Sequence, residues 1–79
     1  MQITWKKEKG IIKGKKVSVK SGYLNKKLRF YLYLSEEFID MFVLLDLKTK
    51  TQHFLKPEDC ENIAKEIIIK EEEVADEKN

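Results

Sequence analysis

The chain has 79 residues, 42% of them hydrophobic, with a formal net charge of +2. That length suits one small domain, and the apolar content excludes a disordered polyelectrolyte. The longest apolar run, residues 41–45, is far short of the roughly 18–20 residues of a membrane span. The first residues hold no apolar signal core, and a lone cysteine closes no internal disulfide. The expectation is a cytoplasmic protein with no membrane partner. Lysine and isoleucine dominate over arginine and alanine, as AT-rich codons would produce. That composition fits a low-GC bacterium or a phage or plasmid, and its lysine and glutamate richness fits a thermophile as well.

The charge is divided along the chain. Residues 1–34 carry ten basic groups and the single acid Glu8, whereas residues 35–79 carry six basic groups and thirteen acids. Such asymmetry points to nucleic-acid binding, to an acidic interaction tail, or to attraction between the two halves within or between subunits.

In chain order, residues 1–8 alternate with Ile3 and Trp5 on one side, which predicts a strand. Lys9-Gly10 is the expected turn. Residues 11–20 form the expected second strand, with Gly14 at a bulge or bend. Val17 and Val19 share one face of it, and Lys16, Ser18 and Lys20 share the other. Ser21-Gly22 and Asn25 mark a loop. Residues 28–34 are a strand with strict alternation: Leu28, Phe30, Leu32 and Leu34 on one face, Lys27, Arg29, Tyr31 and Tyr33 on the other. Residues 41–47 predict a further strand, and 51–55 its return after a hairpin connection. A helix over 36–47, capped by Ser35, is the alternative.

Pro57 opens a helix, because its missing N–H costs nothing in the first turn, and Glu58, Asp59 and Glu61 complement the helix dipole. Cys60, Ile63, Ala64 and Ile67 define its buried stripe. Ile69 falls on the opposite side, so either the helix stops near Lys65 or Ile69 meets a second subunit. The predicted fold is α+β: an antiparallel sheet of four to five strands with one C-terminal helix on one face. It spans residues 1–72, and 73–79 form an acidic frayed tail.

No catalytic or metal signature accompanies this fold. His53 and Cys60 are the only members of their kinds, too few for a zinc site. Cys60 lies among acids that disfavour a thiolate, on the apolar helix face. No phosphate-binding loop occurs. The expectation is no enzyme, no cofactor and no metal.

The informative constellation is Lys16 and Lys20 beside Lys27, Arg29, Tyr31 and Tyr33. If the second and third strands pair with these side chains on one surface, cations meet phosphates and the tyrosines stack on bases. Single-stranded DNA or RNA is held in this way. Lys6, Lys7, Lys9, Lys13 and Lys15 extend the track. The alternative is a small phage- or plasmid-type inhibitor or adaptor that meets a host protein through its acidic half, from Glu36 to Glu77.

The segment Phe54-Leu55-Lys56-Pro57-Glu58, after a strand bundle and leading into an amphipathic helix, resembles the single-strand-DNA-binding transcriptional coactivator family. The resemblance covers the strand order and residues 54–67. It implies four antiparallel strands and a C-terminal helix, a homodimer, and binding of melted DNA through the sheet. Lys16, Lys20, Arg29 and Tyr31 would then occupy the platform.

Overall fold

The computed structural model describes residues 2–77, with side chains to residue 73. Five strands form one antiparallel sheet: β1 (Ile3–Ile12), β2 (Lys15–Leu24), β3 (Lys27–Leu34), β4 (Phe42–Asp46) and β5 (Thr51–Leu55). Each strand pairs only with its sequence neighbours, in the order β1-β2-β3-β4-β5. A 3₁₀ turn over Pro57–Asp59 then leads into α1 (Cys60–Glu77). The α+β prediction holds, with five strands.

The first two boundaries differ from expectation. β1 runs straight through Lys9-Gly10, and the chain reverses at Lys13 (φ 51°) and Gly14 (φ 81°). Positive φ at both central residues makes a two-residue turn whose twist matches that of the flanking strands. Lys9-Gly10 misled because Gly10 serves packing instead. A Cβ there would lie 3.1 Å from both the Tyr31 ring and Val19 Cγ2. Ser21-Gly22 likewise stays within β2, and the reversal falls at Asn25 (φ 52°) and Lys26 (φ 66°). Ser35 does cap the next segment, its Oγ accepting the amides of Glu37 and Phe38 at 3.1 Å. The chain then turns through Asp40 (φ 64°) and enters β4, so the helix over 36–47 does not form.

The core lies between the sheet and α1. Phe30, Leu32 and Leu44 from the sheet pack with Cys60, Ala64 and Ile68 from the helix, and Ile3, Trp5, Leu24, Phe42 and Leu55 surround them. Burying a side chain such as Phe30 or Leu44 contributes about 1.5–3 kcal/mol. The helix continues past Lys65, which leaves Ile69 on its outer side, 52% exposed. The expected acidic tail over 73–79 lies almost entirely outside the described side chains. Among the described residues, no helix is long and apolar enough to cross a membrane.

One residue decides which side chains share a face. Near the Asn25-Lys26 turn, Leu24 pairs with Lys27 and Tyr23 with Leu28; beyond it, Gly22 pairs with Phe30 and Lys20 with Leu32. Arg29 is the extra residue of a β-bulge. A one-residue shift exchanges the two faces of a strand. The turn fixes one register, but burying Phe30 and Leu32 under α1 needs another, and the bulge supplies both. It also turns Arg29 toward the helix side, next to Phe30.

Candidate nucleic-acid interface

The predicted platform does not assemble as one surface. Ser21 pairs with Tyr31, and Tyr33 pairs with Val43, so both tyrosines lie on the sheet face away from α1. Lys16 and Lys20 lie on the α1 side, paired with Ile11 and Lys7 of β1 and, for Lys20, with Leu32 of β3. Lys27 shares that side but stands at the far end of β2, opposite Leu24. Without the bulge, Lys20 would have stood beside Tyr31. The sequence expectation corresponds to that bulge-free register.

Arg29 is committed to structure. Its side chain is buried, and Nε and Nη2 donate to the two Asp46 oxygens at 2.8 and 3.0 Å. Nη1 donates to Glu71 Oε2 at 3.0 Å, and Nη2 also donates to Glu71 Oε1. Hydrogen bonds to Asp46 and then Glu71 hold the guanidinium pKa well above its ordinary value. Burial pushes the Asp46 carboxyl up, but the Arg29 hydrogen bonds and the Lys48 amide outweigh it, and the net shift is downward. The Arg29 hydrogen bonds also hold Glu71 below its ordinary value. Fork-to-carboxylate pairs of this kind fix geometry as well as charge. Sequence reasoning missed the roles of Asp46 and Glu71, which it counted among the acids of the second half of the chain.

The tyrosine face is concave and largely self-filled. Tyr31 covers Gly10. Tyr33 lines a cleft of about 160 Å³ with Ile12, Val17, Val43 and Phe54, where the β1–β2 hairpin tip approaches β5. Burial pushes the Tyr33 hydroxyl pKa up, and Glu36 and Glu37 add to the rise. Farther along, Tyr23 Oη donates to both Glu8 oxygens, at 2.8 and 3.0 Å, and Lys6 Nζ sits 5.3 Å from the Tyr23 ring centre. The hydroxyls of Ser21 and then Tyr23 hold the Glu8 carboxyl below its ordinary value. Ser21 Oγ is fully buried with no partner at bonding distance, so it acts on Glu8 as a nearby dipole.

The basic surface that does form lies on the α1 side, beside the helix. α1 covers only one half of that face. On the other half, Lys7 stands directly opposite Lys20, Lys9 opposite Ser18, and Ile11 opposite Lys16. Lys9 Nζ donates to Ser18 Oγ at 2.7 Å. Lys7, Lys9 and Lys20 flank a groove whose apolar floor is Leu32, Leu34 and Phe42. Of the five lysines expected to extend the track, Lys7 and Lys9 lie on this face, whereas Lys6 and Lys15 pair with Ser21 and Ile12 on the opposite face and Lys13 sits in the β1–β2 turn.

Cys60 donates its thiol to the Lys56 carbonyl at 3.3 Å. Burial pushes its pKa up, and Asp59 and Glu61 push it further. His53, on β5, pairs with Leu44 of β4. Among the described residues, no three His, Cys, Asp or Glu side chains gather as metal ligands.

No protein-family model, no curated protein and no solved structure matches this chain.

Proposed function

We propose that the domain is a non-enzymatic nucleic-acid-binding module whose contact surface is the uncovered half of the α1-side sheet face: Lys7, Lys9, Lys16 and Lys20. The observation that carries this reading is the direct opposition of Lys7 and Lys20 across the β1–β2 ladder. Like charges opposite each other destabilise a sheet. A bound polyanion relieves that repulsion and turns it into affinity. The resemblance to the coactivator family points to the same ligand class.

The ligand is held through its phosphates. The tyrosines lie on the other face, so base stacking contributes little, and single strands and duplex should bind within about tenfold of each other. Four phosphate contacts give a slope of log affinity against log salt of about −3.

Fluorescence anisotropy against labelled single-stranded DNA, single-stranded RNA and duplex, over a salt series, tests this. The expected result is saturable binding with that slope, abolished in a folded Lys7→Glu/Lys20→Glu variant. Binding that survives this double reversal, or no binding at any point of the salt series, overturns the assignment.

A further inference from the structure

Two exposed apolar features share one side of the molecule and have opposite electrostatic surroundings. The first is Ile69, on the side of α1 away from the core. Glu66, Glu72 and Glu73 lie three or four residues from it, positions adjacent on a helix surface, and Lys65 is the one base among those neighbours. The second is the groove beside α1. Leu34 on its floor is 61% exposed, and Lys7, Lys9 and Lys20 surround it. One is an apolar knob ringed by acids, the other an apolar hollow ringed by lysines.

We infer that the groove of one copy takes the outer face of α1 from a second copy of this chain. Ile69 seats against Leu34 and Phe42, and Glu66 and Glu73 lie among the lysines. The knob cannot fill the groove of its own chain, because it points away from its own sheet. Helix and groove lie side by side on one face of one sheet, so a two-fold axis lets both copies make the same contact. The two helices then occupy one layer between two sheets. Charge complementarity selects a second copy, since the acidic knob and the basic hollow belong to the same chain. It also opposes wrong registers, which would set lysines against lysines.

The dimer covers Lys7, Lys9 and Lys20. If those lysines bind nucleic acid as proposed, the second copy and a nucleic acid exclude each other, and the acidic helix acts as the built-in competitor.

Sedimentation velocity at low salt should give twice the 9.4 kDa chain mass, shifting toward the monomer as salt screens the rim. Ile69→Lys sits at an exposed position and should keep the fold by circular dichroism, while weakening self-association by about thirtyfold, the effect of losing a central apolar anchor. Lys7→Glu/Lys20→Glu and Glu66→Lys/Glu73→Lys should each be monomeric alone and form a dimer when mixed. A wild-type monomer at low salt, a dimer indifferent to Ile69→Lys, or swapped variants that fail to pair would each overturn the inference. Monomeric Ile69→Lys keeps every groove lysine and should bind nucleic acid more tightly than wild type. If it binds none, the nucleic-acid reading and the competition fall together, and the dimer stands on its own sedimentation data.

Discussion

Arg29 on the β3 bulge and Glu71 on α1 share two hydrogen bonds across 42 residues of chain. Together with Asp46, they join the irregular point of the sheet to the far part of the helix. Arg29 is 8% exposed and Asp46 2%, so this charge cluster lies at the sheet–helix boundary rather than in solvent.

Acid should therefore weaken the fold. Asp46 and Glu71 both have folded-state pKa values lowered from ordinary values of 3.8 and 4.5. A carboxyl with a lowered folded pKa contributes stability above its unfolded value and loses it as pH falls through the folded one. The unfolding midpoint in urea should be flat from pH 7 to about pH 5 and drop below that. A midpoint unchanged down to about pH 3 would show that the cluster contributes nothing net.

Removing the cation should reverse that trend. Arg29→Met leaves Asp46 and Glu71 without their shared partner, and breaking a buried pair in this way costs about 3–5 kcal/mol. Protonation then relieves the variant, so its deficit relative to wild type should shrink as pH falls. Arg29→Lys keeps the charge but cannot grip two carboxylates with a planar fork, and should lose about 1–3 kcal/mol. Denaturant melts of the three proteins at two pH values separate these outcomes.

Gly22 faces the bulge because it must be bare. A Cβ there would lie 2.8 Å from Trp5 Cζ3, and Trp5 stacks with Phe30 at 6.3 Å between ring centres. Gly22→Ala should cost about 1–3 kcal/mol through overpacking. Gly10→Ala, whose new methyl meets Tyr31 and Val19 at 3.1 Å, should cost less, because the half-buried tyrosine has room to give. Paired thermal melts check the ranking.

Cys60 should be a silent thiol in the native state. It is buried at the start of α1 with its pKa pushed up, and thiolate formation controls reactivity. Labelling with a disulfide reagent at neutral pH should proceed only as fast as the helix opens, and denaturant should make it immediate. Rapid native labelling would mean that the first turn of α1 opens readily.

Much of the fold was legible because local chemistry and global packing agree there. β3 and the Pro57 helix start carry a strong period or breaker, and the structure keeps them; β4 and β5 carried weaker signals, with a helix over 36–47 as the competing reading that the turn at Asp40 removes. The first hairpin misled because glycine has two uses that look alike in sequence: Gly14 turns the chain, while Gly10 makes room for a ring across the sheet. The site was less legible for one physical reason. Alternation tells which residues of a strand share a face, but not which face meets the neighbouring strand. The Arg29 bulge decides that, and its cause lies in the tertiary demand for Phe30 and Leu32 beneath a helix about 30 residues later. The lysines of β1 and β2 were legible as a group; their separation from Tyr31 and Tyr33 was not.

The strictly sequential strand order has a kinetic consequence. Every ladder joins neighbours in the chain, so loop closure is short at each step and the sheet can zip hairpin by hairpin. Only the docking of α1 spans a long stretch, and its latch, Glu71 on Arg29, becomes available once the bulge between β2 and β3 exists. This topology predicts that helix docking is the late event in folding. Changes at the latch should quicken unfolding and leave the folding rate almost untouched.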